Sequence, residues 1–351
     1  MNELLRSLGL VPFFTQQLSG SELQPERLGR VMVVQRSNIR VLCGTGEQLA
    51  ELSPALRQAG PAERPTVGDW VVLDESLHRA ERVLTRKSLF KRVSAGENSD
   101  LQPIAANIDV LFIVTSCNEE FKESRLERYL ALCSEAGASP VIVLTKADLT
   151  EDADEYVRRA HTTQAGVPVE VVNPHQPDSL EALKAWIGKT STVALVGSSG
   201  VGKSTLLNAL AGDDIAATGA IREDDKKGRH TTTHRQLHIL PSGGLLIDVP
   251  GMRELRVAEL DGSIATVFDD IEQLARQCRF ADCHHVQEPG CAVLNAIENH
   301  QLDPRRLVNY QKLLRENAQA TSSIAEKRSR ARDFAKMVKH GKAAKEQKHK
   351  L

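Results

Sequence analysis

At 351 residues, with 26% charged and 41% hydrophobic side chains, the chain has the balance of a soluble globular protein and length for two or three cores. Its formal net charge of −1 excludes a uniformly basic protein that coats nucleic acid along its whole surface. No apolar run nears the ~20 residues that cross a bilayer and no signal-peptide pattern opens the chain, so a cytoplasmic protein with no membrane attachment is expected.

Residues 1–25 are polar and weakly patterned, and read as an N-terminal extension or arm. Over 26–92, short β-rich runs separated by Gly, Pro, Asn and Ser predict a small antiparallel barrel of the OB type. These runs are Gly29–Val34, Ile39–Cys43, Val67–Leu73 and Ala80–Thr85. The basic residues Arg86, Lys87, Lys91 and Arg92 that follow are candidate phosphate contacts for RNA. Over 93–256 strands alternate with helices, predicting a mostly parallel sheet covered on both faces. Its strands are Val110–Thr115, Pro140–Thr145, Val169–Val172, Thr192–Val196, Leu237–Leu240 and Gly244–Asp248, and its helices include 123–136, 180–187 and 203–210. Residues 257–351 read as a helical segment interrupted by a cysteine group and ending in a basic helix, expected over 322–345.

A strand followed by Gly197, Ser198, Ser199, Gly200, Val201, Gly202, Lys203 and Ser204, and then by a helix, is the phosphate-binding loop in its required context. Glycines let backbone N–H groups turn inward around phosphate oxygens, and the helix N-terminus adds partial positive charge. Lys203 is expected on the β- and γ-phosphates and as a catalytic charge, with Ser204 on Mg2+ and Thr205 beside them. Asp248, closing a strand in Asp248-Val-Pro-Gly251, is the second magnesium candidate, and the Gly251 amide is placed to sense the γ-phosphate. Thr145, Lys146, Ala147 and Asp148 end another strand. The Asp148 carboxylate can accept from both N1–H and the 2-amino group of guanine, and the Lys146 stem can lie along the base. Thr145 stands where GTPases more often carry Asn, so a tether to the phosphate loop is expected to be altered. Asn173 and Pro174 hold the place of a second guanine loop.

Between loop and Asp248 lies Gly228-Arg-His-Thr-Thr-Thr-His234, in which Thr232 is the preferred third magnesium ligand among Thr231, Thr232 and Thr233. Met252 follows Gly251 where many small GTPases place a water-orienting Gln, and a thioether cannot orient water by donating a hydrogen bond. Slow intrinsic turnover is therefore expected, with His230 the leading catalytic candidate once a partner organises the site. Cys278, Cys283, His285 and Cys291 offer three thiolates and an imidazole within fourteen residues, a ligand set for one structural Zn2+. His284 is the adjacent competitor for the fourth place.

The order of these motifs is unusual, because the base reader precedes the phosphate loop. Together with the cysteine segment and Pro65-Thr-Val-Gly-Asp-Trp-Val71, it resembles the circularly permuted GTPases of the RsgA (YjeQ, EngC) family over about residues 25–320. The resemblance implies a multidomain protein: an OB-type barrel, a permuted α/β G domain and a zinc-bearing helical domain. It implies GTP hydrolysis to GDP, stimulated by the 30S ribosomal subunit in its late assembly, with contact to 16S rRNA. A monomer is expected. The competing reading is a nucleotide-gated RNA-binding adaptor in which hydrolysis is incidental. In either, the segment after Gly251 runs into the zinc domain, so nucleotide state is expected to reposition that domain.

Overall fold

The computed structural model describes residues 2–35, 37–93, 101–212, 236–248 and 260–322. The first 23 residues are not a loose arm. Helices α1 (Glu3–Ser7) and α2 (Pro12–Thr15) carry Leu5, Leu8, Leu10 and Phe14 into the core, and the Phe14 ring sits 5.9 Å from that of Trp70. Asn2 caps α1 through its side-chain oxygen, and Glu22 ties the segment down by a bidentate pair with Arg82 at 2.7 and 2.8 Å. Arg82 holds the Glu22 carboxyl at about 2, far below its ordinary 4.5.

Strands β1 (Leu28–Val34), β2 (Asn38–Cys43), β3 (Gly46–Leu52), β4 (Trp70–Leu73) and β5 (Arg79–Val83) form the barrel. Around it the order is β1-β2-β3-β5-β4, and the antiparallel pairing of β4 with β1 closes the ring. Only β3 with β5 is parallel. A short helix α3 (Pro54–Gln58) bridges β3 and β4, and its Leu56 joins Val31, Ile39, Val41, Val71 and Leu73 inside. This is an OB-like barrel. Two of its supposed RNA cations are engaged within the chain. Arg86 grips the buried carboxylate of Asp69 with two bonds of 2.8 Å, and Lys87 pairs with Asp109 at 2.6 Å. Burial pushes the Asp69 carboxyl above its usual range, and Arg86 opposes that shift. Lys91 and Arg92 lie on β6 (Leu89–Val93), which forms a two-stranded sheet with β7 (Leu101–Ala106).

The second sheet is built from β8 (Val110–Ser116), β9 (Ser139–Thr145), β10 (Val169–Val171), β11 (Thr192–Gly197), β12 (Gln236–Ile239) and β13 (Leu245–Asp248). Its order is β10-β9-β8-β11-β13-β12, all parallel except β12 at the edge. Alternation along the strands serves both faces. Leu111, Ile113, Ile142 and Leu144 meet Leu126 and Leu130 of α4 (Glu123–Ala136) and Ala160 of α5 (Ala153–His161). Phe112, Val114, Val141 and Val143 meet Leu183 of α6 (Glu181–Trp186) and Leu206 and Leu210 of α7 (Lys203–Ala211). Barrel and sheet are continuous, since β1 pairs with β12 at Val33 and Gln236. Arg30, 1% exposed, reinforces that junction. It donates to the carbonyls of Leu8, Gly68 and Asn107 and to Thr192 Oγ1, at 2.6 to 3.2 Å.

The C-terminal module consists of α8 (Asp261–Val267), α9 (Asp269–Ala275), the cysteine segment, α10 (Ala292–Glu298) and a helix α11 (304–322). Arg306 of α11 is buried against the back of the sheet domain. It meets Glu127 of α4 at 3.1 Å, the α5-terminal carbonyls of Thr162 and Thr163 at 3.0 and 2.7 Å, and Asp270 at 2.6 and 2.7 Å. Glu127 itself is fully buried and also takes Arg305 at 3.1 Å and the Asn309 amide. The module therefore rests on α4 and α5 through a dense polar contact. Among the described residues no helix is long and apolar enough to cross a membrane.

Candidate functional site

β11 delivers the phosphate loop beside β8 with Gly197 at φ 147, and a Cβ there would collide with the Val114 carbonyl oxygen. The loop ends at Gly202 with φ 90, a left-handed turn from which α7 starts at Lys203. An added Cβ at Gly202 would meet Thr145 only at ordinary contact, 3.5 Å, so it is the positive φ that calls for glycine there. These two glycines are thus demanded by backbone geometry, and the intervening Ser199 and Gly200 are left exposed at the mouth of the site.

The base-reading turn follows β9, two strands from β11. Thr145 is buried, and its Oγ1 lies 2.6 Å from the Val201 carbonyl oxygen. The tether expected to be altered at this position is a hydroxyl, which donates to the loop where Asn would offer an amide. Lys146, at φ 58, reaches back to donate to the Gly200 carbonyl at 2.7 Å. Asp148 lies on a short 3-10 turn (Ala147–Leu149), exposed, with Ala147 half-buried beneath it. Base reader and phosphate loop are therefore fastened together although 49 or more residues separate them in sequence.

Lys203 Nζ is turned toward the Ser198 carbonyl oxygen, while Ser204 is exposed and Thr205 half-buried on the first turn of α7. Asp248 ends β13, the strand flanking β11, and its backbone pairs with Gln236. In the second guanine position, Asn173 makes a local turn by accepting from the His175 N–H at 3.0 Å and is held by Ser179. His230, Thr231, Thr232, Thr233, Gly251, Met252 and the basic helix beyond 322 lie outside the described residues.

The four ligand atoms of Cys278, Cys283, His285 and Cys291 lie within 4.8 Å of one another. Cys278 and Cys291 sulfurs are 3.8 Å apart, and His285 Nδ1 is 3.7 Å from the first and 3.3 Å from the second. A tetrahedron with metal–sulfur bonds of about 2.3 Å has edges of roughly 3.8 Å, shortened somewhat where nitrogen replaces sulfur. The cluster has that size, and three thiolates with one imidazole leave no open position, so it is a candidate structural metal site. The competitor His284 is outside the group, with its N–H bonded to Glu288 at 2.8 Å. His285 adopts φ 57, and the same Glu288 carboxylate accepts from Val286 and Gln287, fixing the turn that aims the imidazole inward. Those N–H donors pull the Glu288 carboxyl down to about 2. Cys291 also caps α10, its sulfur accepting from the Leu294 N–H at 3.4 Å.

A model of the RsgA GTPase family matches residues 83–258. A Vibrio vulnificus relative, small ribosomal subunit biogenesis GTPase RsgA 2, is 47% identical over 96% of this chain and 94% of its own length. The chain belongs to the RsgA GTPase family. A Mesorhizobium japonicum RsgA is 48% identical over 90% of this chain and 91% of its own. The crystal structure of YjeQ from Thermotoga maritima superposes with a TM-score of 0.60 at 27% identity, covering 83% of this chain and 98% of that one. The fold of YloQ, a circularly permuted GTPase, matches with a TM-score of 0.57 at 24% identity over 83% and 95% of the two chains. A model described as ABC transporter also matches residues 180–348, a stretch that contains the phosphate loop but not Lys146 or Asp148. As an RsgA GTPase, the protein is a GTP hydrolase with an OB-like barrel, a circularly permuted GTPase domain and a C-terminal Cys/His module.

The sequence reading missed four features of this site and its surroundings. They are the hydroxyl tether at Thr145, the Arg125 contact to Ser198, the buried Arg30, and the Glu127–Arg306 contact. Only the first carried a signal, a hydrogen-bonding residue retained in place of Asn.

Proposed function

We propose that the protein couples GTP hydrolysis to the maturation of the small ribosomal subunit, with the 30S particle as the partner that stimulates turnover. The observation that carries the nucleotide part of this is the double fastening of Thr145 to Val201 and Lys146 to Gly200, which holds the candidate guanine and phosphate contacts side by side. Asp148 reads guanine, the loop from Gly197 to Thr205 cradles the phosphates, and Lys203 neutralises their charge. Mg2+ is held by Ser204, by Asp248 and by Thr232 from the segment outside the described residues, where Gly251 senses the γ-phosphate and His230 orients water. Zinc fills the Cys278, Cys283, His285 and Cys291 cluster and replaces a hydrophobic core for that segment. The organisation into an extension (1–25), barrel (26–92), G domain (93–256) and zinc domain (257–351) belongs to the same reading.

The ribosomal role is supported by the names of the RsgA relatives, which describe small-subunit biogenesis GTPases. The protein then acts in the cytoplasm, as a monomer touching 16S rRNA. Turnover of GTP against ATP, with and without purified 30S subunits, tests the reading. Hydrolysis of GTP alone, accelerated by 30S, is expected. Equal turnover of ATP would refute the guanine assignment, and a rate indifferent to 30S would refute the partner. Lys203→Ala separates a timer from the adaptor, since a timer would stall on the subunit and an adaptor would still release.

A further inference from the structure

The phosphate loop is held by four side-chain contacts at three of its residues, Ser198, Gly200 and Val201. Gly200 and Val201 offer their carbonyls to Lys146 and Thr145, and Ser198 offers its carbonyl to Lys203. The Gly200 and Val201 carbonyls are thereby engaged by the turn after β9, and successive backbone N–H groups in such a loop suit an anion. The fourth contact comes from no nucleotide motif. Arg125, on the first turn of α4, donates through Nη1 to the Ser198 hydroxyl. The same nitrogen also lies 3.2 Å from the Glu120 carbonyl and 3.1 Å from the Glu120 carboxylate, so the β8–α4 loop holds the end of the guanidinium that meets Ser198. Ser198 thus lies between two cations, Lys203 on its carbonyl and Arg125 on its side chain. The signature Gly-x4-Gly-Lys-Ser leaves position 198 open, so nothing in phosphate binding itself demands a hydroxyl there.

We infer that Arg125 is a positioning residue for nucleotide binding, acting through the Ser198 hydroxyl to hold the phosphate loop in its receptive form. The inference rests on the loop at 197–204 being the nucleotide site. Arg125 touches the loop on its side chain rather than reaching a phosphate, so its effect falls on the loop shared by GDP and GTP. A charged hydrogen bond to a hydroxyl is strong enough that losing it costs about tenfold in affinity. It also follows that Arg125 and Ser198 act as one unit, and removing both does no more harm than removing either.

Fluorescent GDP and a non-hydrolysable GTP analogue, titrated against full-length variants, test this. Arg125→Ala and Ser198→Ala are each expected to weaken both nucleotides about tenfold, with the double variant no weaker than either single. Arg125→Lys keeps a donor and is expected to recover part of the loss. Arg128→Ala removes the same charge one turn along α4, where Arg128 pairs with Glu316 at 2.6 Å, and is expected to leave both affinities unchanged. Unchanged affinity in Arg125→Ala, additive losses in the double variant, or a silent Ser198→Ala would each overturn the inference. So would a loss confined to the GTP analogue, which would make Arg125 a γ-phosphate ligand instead. Lys203→Ala separates this from the site assignment. If it leaves binding intact, the nucleotide site is misplaced. If it abolishes binding while Arg125→Ala does nothing, only the role of Arg125 falls.

Discussion

Replacing Arg306 by Met should release the C-terminal module from the sheet domain while keeping the volume of the side chain. Arg306 is 6% exposed, and its guanidinium lies 4.9 Å over the Phe268 ring. It serves two carboxylates and three carbonyls drawn from α4, α5 and α8 to α9. Methionine restores the apolar contact but leaves Glu127 in a fully buried site with one cation fewer. Burial already pushes the Glu127 carboxyl above its ordinary range against the pull of Arg305 and Arg306. Breaking a buried pair from one side costs about 3–5 kcal/mol. Asp270 is partly open to water and Arg305 remains at Glu127, which places the loss near the lower figure. A loss of about 3 kcal/mol makes local opening on the order of a hundredfold more frequent. Hydrogen exchange of the amides in 304–322, followed by mass spectrometry, reads that directly. Adding Glu127→Gln to Arg306→Met removes the stranded charge and should recover part of the protection. Exchange in Arg306→Met within threefold of the parent would refute the reasoning, because the contact would then contribute specificity without stability.

Thr145→Val deletes the hydroxyl at nearly constant shape and leaves the Val201 carbonyl without its donor, so nucleotide affinity should fall roughly tenfold. Thr145→Asn supplies an amide donor and should bind as tightly as the parent in the same titration. One metal ion per chain is expected by elemental analysis, and chelation or Cys283→Ser should open residues 278–298 to protease while the barrel stays folded. Glu22 titrates near 2 when folded against 4.5 when free, so its contribution is full above about pH 4.5 and is lost as pH falls toward 2. Exchange protection of residues 17–24 should decline across that window, and Glu22→Gln should remove the dependence.

Periodicity exposed nearly all of the sheet domain, because strands buried on both faces and helices such as α4 write their pattern locally. Val110–Ser116 is seven buried residues in a row, and α4 closes on Gly137 at φ 78, so both ends of each element were legible. The barrel was legible except for β3, whose Gly-Glu-Gln-Leu-Ala-Glu-Leu is polar on its outer face and alternates only weakly. The helices at 3–15 are short, and their apolar residues join a core built from distant strands, as Phe14 does against Trp70, a contact no local window contains. The same reason hides Arg30, Arg125 and Arg306. Each is one of many arginines in the sequence, and what distinguishes it is a set of acceptors 22 to 179 residues away. Motif spacing picked out the Cys/His cluster and the two segments, 145–148 and 197–204, that the fold brings together, since each is a contiguous stretch of chain.

The pairing of β8 with β11 joins Val110 to Val193, across 83 residues, and the loop that receives phosphate begins only after that strand is laid down. β8, β9 and β10 can pair among themselves as soon as residue 171 is made. A chain synthesised from its N-terminus therefore holds the strand that leads to Asp148, with both its neighbours, before Gly197 to Ser204 exists. On the proposed assignment of the site, nucleotide would be captured late in folding and would stabilise the seam between β8 and β11 rather than a nucleus.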